Sequence, residues 1–238
     1  MKKFIAMLLA LMMVISCFAA CAAEPKTDSE YVKKNGKLIV GITDYAPMDY
    51  KDENGEWTGF DAEFARLFAE ELGVDCEFFV IPNWGTKFME LETKQIDAVW
   101  NGMTITDERK ANMEISTPYM ANKQGMVVEK DDLAKFAEGV IGASVVAEAG
   151  SAGEQAIQEN GLDGNYSPVA AQTDAVLAVM GGQADACVID ITMAKAMTAD
   201  LSVELAEATL YADDGAAEIV KEFKSGTLSL GIDDIGAT

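Results

Sequence analysis

Gln95-Ile96-Asp97-Ala98-Val99 returns further along the chain as Gln183-Ala184-Asp185-Ala186-Cys187. Each copy enters a short apolar run, read as strands over 96–100 and 184–190. Each follows a helix-length segment whose apolar residues fall in register: Phe88, Met89 and Leu91 before the first copy, Val176, Leu177 and Val179 before the second. Asp-Ala ahead of a strand is common enough for chance to produce it twice. The matched helices favour the other reading, two similar α/β halves.

The flanking sequence extends the pattern. Lys37-Leu38-Ile39-Val40-Gly41-Ile42 is a compact apolar run, expected as a buried strand. Asn54-Gly55 is a hairpin turn signal. Phe60, Phe64, Leu67, Phe68 and Leu72 recur at helical spacing, with Asp61 and Glu63 opening the helix and Gly73 closing it. A strand is expected over 74–81 and a helix over 86–93 with Phe88, Met89 and Leu91 inward. In the second half a strand is expected over 140–146, with helices over 153–159 and 173–180. Strands alternating with helices imply a mostly parallel sheet. Open α/β sheets bind ligands at the carboxyl ends of their strands, near helix N-termini. Two such sheets face to face make a cleft, with Trp100-Asn101-Gly102 and Ile189-Asp190 at its mouth.

Composition narrows the function. Half of the 238 residues are hydrophobic, and 40 acidic against 18 basic residues give a net charge of −22. Such a surface repels phosphate backbones, so no nucleic-acid partner is expected. The absence of histidine removes the commonest general base and metal ligand. No metal or cofactor is expected. Lys2 and Lys3 precede an apolar run over 4–15, the pattern of a signal peptide. Phe18-Ala19-Ala20-Cys21-Ala22 resembles the lipobox of bacterial lipoproteins, with Cys21 as the lipidated residue. Cys17 sits in a similar pattern, and a plain secretory signal is the other reading. Residues 24–35 are polar and read as a tether. Cys76 and Cys187 lie in strand-like runs without partners at metal spacing, and read as small buried apolar residues.

Arg66 and Arg109 are the only arginines. Arg66 lies on the polar face of the first long helix and reads as a solvated charge. Arg109 follows Gly102-Met103-Thr104-Ile105-Thr106-Asp107-Glu108, just past a strand end. Its planar fork suits a carboxylate bidentately, and a surface pair with Asp107 or Glu108 suits the spacing equally. Asp190 ends a strand, where it can receive an ammonium or cap the next helix. Gly150-Ser151-Ala152-Gly153 lies between strand and helix and offers backbone N–H groups to an anion, without a phosphate-loop lysine. Tyr45 and Trp84 follow strands and suit either an apolar slot or the core.

Taken together these segments resemble a known family. Tyr45-Ala46-Pro47, Gly59-Phe60-Asp61, Gly102-Met103-Thr104-Ile105-Thr106-Asp107-Glu108-Arg109, Ser116-Thr117-Pro118-Tyr119, Gly150-Ser151 and Ala184-Asp185-Ala186-Cys187-Val188-Ile189-Asp190 occur in the order found in solute-binding proteins of polar amino-acid ABC importers, the glutamine- and histidine-binding type. The resemblance implies a type II periplasmic binding protein: two similar Rossmann-like lobes joined by a two-strand hinge. A signal peptide would occupy 1–20, a tether 21–35, the first lobe 36–123 and 209–238, and the second lobe 124–208. Arg109 would clamp the ligand α-carboxylate with the Thr104 hydroxyl and the backbone at Ser151 and Ala152. Asp190 would hold the α-ammonium with a carbonyl near Asn101 or Gly102. Tyr45 and Trp84 would sandwich the ligand side chain, and Glu148 would suit its chemistry.

The implied protein is an extracytoplasmic, lipid-anchored monomer delivering a neutral polar or cationic amino acid to an ABC transporter permease. It would not be an enzyme. The alternatives are a same-fold dehydratase using Glu148 as acid, or a ligand sensor. The chain departs from the family at its end. Tyr211-Ala212-Asp213-Asp214-Gly215 leads to a short helix over 216–224 rather than to the family's returning strand. That strand is expected to be missing, with residues after about Gly226 frayed and the first lobe less stable than the second.

Overall fold

The structure is a computed structural model, and it describes residues 27–129, 132, 142–199, 205–208 and 226–232. The signal segment, Cys17, Cys21 and the expected helix over 216–224 lie outside the described residues.

The architecture is α/β with two sheets. The first half runs α1 (Asp28–Asn35), β1 (Lys37–Ile42), β2 (Tyr50–Lys51), β3 (Trp57–Thr58), α2 (Phe60–Leu72), β4 (Asp75–Val80), α3 (Lys87–Glu92), β5 (Ala98–Thr104), α4 (Asp107–Asn112), β6 (Glu114–Ile115) and β7 (Met120–Asn122). The second runs β8 (Gln124–Glu129), β9 (Val145–Glu148), α5 (Ala152–Glu159), β10 (Tyr166–Val169), α6 (Gln172–Met180), β11 (Ala186–Asp190), α7 (Ile191–Ala199) and β12 (Leu205–Ala208). The last described strand is β13 (Gly226–Ile232). Sheet order is β4-β1-β5-β13-β6 with β7 also on β13, and β10-β9-β11-β8-β12. The β1, β4 and β5 pairings are parallel, as are those of β9, β10 and β11. Only Lys123 separates β7 from β8, so the chain steps directly from one sheet to the other there.

The repeated motif has one structural job in both halves. Asp97 accepts a hydrogen bond from the Ile39 backbone N–H at 2.8 Å, and Asp185 from the Ser144 backbone N–H at 2.9 Å. The backbone N–H of each aspartate returns a bond to the same partner's carbonyl, at 2.8 and 3.0 Å. Each carboxylate therefore ties the entry of a strand to its parallel neighbour. The strands that follow, β5 and β11, are buried along their whole length. Both faces of each sheet are covered, which is why these strands read as continuous apolar runs.

Four expectations are corrected. The returning strand is present: β13 pairs antiparallel with β5, β6 and β7. Leu228, Leu230 and Ile232 alternate with small residues, a period-two pattern inside what was read as a tail. The edge of β5 is covered by it.

The polar segment before β1 is not all tether, because Asp28–Asn35 is helical. The Thr27 side chain caps its first turn, Asp28 and Glu30 sit at its start, Lys33 and Lys34 at its end, and Val32 enters the core. The buried face of α2 is Asp61, Ala62, Ala65 and Ala69. The bulky stripe faces outward, with Phe60 at 48% and Leu67 at 63% exposure. Alanines let the helix axis approach the sheet, and Phe64 and Phe68 pack edge-on to Trp100 from the flank. In α3 the inward residues are Lys87, Glu90 and Leu91, while Met89 is exposed.

Cys76 and Cys187 are free thiols. Cys187 is fully buried, and burial pushes it up to about 12; Cys76 is half-buried and pushed up to about 11. Among the described residues there is no cluster of metal-ligating side chains.

Candidate functional site

One enclosed cavity lies between the two sheets, where the carboxyl ends of β5, β9 and β11 converge. Trp84, Asn101, Gly102, Met103, Thr104 and Arg109 line it from the first half; Glu148, Ser151, Ala152, Gln172 and Asp190 line it from the second.

Arg109 is 4% exposed. The Thr106 hydroxyl accepts from its backbone N–H at 3.2 Å and so caps α4. The guanidinium Nη1 donates to the Thr104 carbonyl. That uses one of five donors on a group that stays charged. Burial lowers its pKa, while Asp190, Glu108 and Glu148 favour its charge. The surface pairing with Asp107 does not form; Asp107 lies against Lys110 at 3.5 Å instead.

Asp190 is held by neutral amides. Gln124 and Asn122 donate to Oδ1, Gln124 at 2.7 Å, and Gln172 donates to Oδ2 at 2.7 Å. Burial raises its pKa against those three donors and the Arg109 charge. Glu148, at the end of β9, is 4% exposed. Burial and the Asp190 charge push its carboxyl up to about 8, opposed by Lys87 and Arg109. The cavity wall therefore carries one permanent cation and two carboxyls of raised pKa.

Ser151 caps α5 by accepting from Glu154 N–H at 3.1 Å, and Glu154 accepts from Gly150 N–H at 2.7 Å. The Ser151 backbone N–H points back to the Glu148 carbonyl at 3.2 Å. Asn101 is tied to the end of β1: its Oδ1 accepts from Thr43 N–H at 2.7 Å, and its Nδ2 donates to the Thr43 hydroxyl at 2.6 Å. Gly102 has φ +60°, and a Cβ there would lie 2.6 Å from the Tyr45 ring. Glycine is required on both counts.

Tyr45 is not on the cavity wall. Its ring lies under Gly102, packed with Met48 and Met193, and its buried hydroxyl has no hydrogen-bond partner among the described residues. Trp84 is on the wall, in a short 3-10 turn that the Asn83 side chain caps. Arg66 is half-buried and not on the cavity lining, donating to Glu63 at 2.6 Å and to the Trp57 carbonyl.

Four residues here escaped sequence reasoning. Asn122 and Gln124 flank Lys123 in a short polar run where β7 gives way to β8. Gln172 stands in the first turn of α6. Lys87 was hidden inside a helix read by its apolar residues.

Behind the wall, Asp49 is 0% exposed and neither carboxylate oxygen has a hydrogen-bond partner among the described residues. Burial and the nearby Asp61 push it up to about 9; Asp61, which accepts from Gly102 N–H and Tyr119 OH, is pushed up to about 6. Both bind protons more tightly folded than unfolded. Stability therefore falls as pH rises from about 4 towards the folded values, by about 1.4 kcal/mol per pH unit for each group. Asp49→Asn is expected to raise the unfolding temperature at pH 8 and to lose that advantage as the pH falls towards 4. Thermal unfolding at both pH values checks this. A pH-independent difference would show that Asp49 does not titrate as its burial implies.

Residues 38–230 match the model of the bacterial extracellular solute-binding proteins, family 3. The chain belongs to that family. It is similar to the L-cystine-binding protein TcyJ of Escherichia coli (strain K12), 34% identical over 54% of this chain and 49% of the relative, so it matches about half of that relative's length. Among solved structures it is similar to the ancestral amino acid-binding protein AncCDT-1, a precursor of cyclohexadienyl dehydratase. That match has TM-score 0.72 and 33% identity over 86% of this chain and 85% of the other. It is also similar to the arginine-bound form of truncated ArgBP from T. maritima, with TM-score 0.73 and 30% identity over 86% and 91%. The family expected from the dispersed motifs is the one matched.

Proposed function

We propose that this solute-binding protein captures a free amino acid with a neutral polar or cationic side chain and presents it to an ABC importer. The observation that carries the reading is the buried trio around one cavity, Arg109 from the first half and Asp190 and Glu148 from the second. Arg109 receives the α-carboxylate, Asp190 the α-ammonium, and Glu148 meets the side chain, with Thr104, Ser151 and Ala152 beside the carboxylate and Trp84 stacking on the side chain. Two acidic side chains line the cavity and, among the described residues, Arg109 is the one arginine on its lining, so an anionic side chain would be desolvated against like charges. The enclosed volume is about 10 Å3, close to one water. An amino acid enters only if the walls part, so the two sheet units act as lobes. The crossing at Lys123 serves as a hinge strand, and closure is the signal to the permease. Lipidation at Cys21 would hold the protein, as a monomer, at the outer face of the membrane. Calorimetric titration with the common amino acids tests the reading, and tightest binding to glutamate would sink it.

The pH dependence separates the two ligand classes. A cationic side chain beside Glu148 favours its carboxylate, so binding expels the proton held below about pH 8. Affinity for L-arginine is expected to rise roughly tenfold from pH 6.5 to 8. Lys87, whose burial lowers it to about 8, titrates in the same range, so its part has to be separated from that of Glu148. Glu148→Gln flattens the Glu148 part of the profile and separates the two. L-glutamine leaves the proton in place and gives the flatter curve.

A dehydratase reading has one point in its favour, since a carboxyl protonated at neutral pH is what a general acid needs. Turnover of arogenate or prephenate by the purified protein would establish it.

A further inference from the structure

Lys87 is 3% exposed, at the start of α3 in the first half of the chain. Its ammonium donates to two carbonyls at 3.2 Å each: Trp84, in the same turn, and Gly150, in the other half. It lies 5.0 Å from the Trp84 ring centroid and 4.7 Å from that of Phe88. Arg109 repels it, while Glu108, Glu148 and Glu154 attract it. Beside this bond the two halves meet backbone to backbone. Gly150 has φ +72°, and a Cβ there would lie 2.8 Å from the Gly85 Cα. Gly85 follows Trp84, and Gly150 precedes Ser151, so the contact joins two segments that wall the cavity.

A buried lysine with no direct carboxylate partner is an expensive way to hold a fold together. Its position explains it better. The bond to Gly150 exists only while the two halves are together, and the glycine pair lets them come close enough to make it. We propose that Lys87, with the Gly85–Gly150 contact, is a latch across the cleft that sets how long a bound amino acid is retained without touching it. The proposal rests on the two halves being the lobes of a binding protein. Removing the ammonium leaves the Trp84 and Gly150 carbonyls facing each other's neighbourhood without that donor. That cost falls on the closed form, because the open form exposes both to water.

Stopped-flow release of L-arginine and of L-glutamine tests it. Lys87→Met is expected to speed release about tenfold or more for whichever probe binds, with the association rate within about threefold of the parent. Gly150→Ala attacks the same contact from the other half and is expected to act in the same direction, which keeps the test open if Lys87→Met folds poorly. Binding by the parent with release unchanged in both variants overturns the latch and leaves the binding function standing. If the parent binds neither probe, the binding reading is what fails for those ligands. Small-angle scattering of the ligand-free proteins then decides the latch: a larger radius of gyration in Lys87→Met supports it, and identical radii overturn it.

Discussion

Arg109→Ala is expected to weaken amino-acid binding 30-fold or more, and Asp190→Ala by a similar factor. Both groups are buried at the same cavity, one from each half, and each lies in the other's field. Removing one partner of a desolvated charge pair costs about 2–5 kcal/mol, much of it from stranding the charge that remains. On the scale of about 1.4 kcal/mol per factor of ten, the low end is already 30-fold. Asp190 is a strong anchor because its position is over-determined: three amides from β7, β8 and α6 hold its two oxygens. Arg109→Lys should recover only part of the loss. Lysine carries the charge but not the fork, and the Thr104 carbonyl would compete with the ligand for a single ammonium. Arg66→Ala should be nearly silent, since Arg66 pairs with Glu63 away from the cavity lining. Calorimetry on the four variants checks the assignment. A silent Arg109→Ala beside a damaging Arg66→Ala would place the site elsewhere.

What could be read from sequence follows the range of the forces involved. The bounds of β1 were legible to the residue, because an apolar run between Gly36 and a polar turn needs only local information. The Asp97 and Asp185 echo was legible because each aspartate serves a neighbouring strand in the same way. The orientation of α2 was not. Its sequence carries two stripes, aromatic and alanine, and only the distance to the sheet decides which is buried. The β13 strand was missed for a related reason. Its partners lie about a hundred residues earlier, and a seven-residue Leu/Gly/Ser segment has no strong local signature.

The site shows the same division. Arg109 and Asp190 stood out because each is chemically unusual at a strand end or just beyond one. Spacing could not choose between their bland and functional roles; burial at one cavity supports the functional one. Tyr45 is placed beside the ligand by resemblance, and in this structure its ring lies against Gly102. With a positive φ and no side chain, Gly102 lets the tyrosine ring lie underneath the strand, where it fills the junction with Met48 and Met193. Lys87 was unreadable in principle, since its function depends on a carbonyl in the other half.

Gly153→Ala is expected to destabilise the fold by about 1–3 kcal/mol, the usual cost of forcing a methyl into a close-packed contact. Gly153 opens α5 against β11, and a Cβ there would lie 2.4 Å from the Val188 carbonyl oxygen and 3.1 Å from its carbon. The obstacle is backbone in the middle of a buried strand, paired with β8 on one side. It cannot rotate away as a side chain would. Either α5 lifts from the sheet or β11 bends, and both move the site, because α5 carries Ser151 and Ala152 and β11 ends in Asp190. Weaker ligand binding should therefore accompany the lower stability. Gly164→Ala is the matched control in the same half, with nothing within 4 Å of its added methyl. It should be neutral or raise stability slightly by restricting the unfolded chain. Denaturant unfolding of both variants reads the contrast. Equal stabilities for the two would mean that α5 does not sit on β11 as closely as the structure places it.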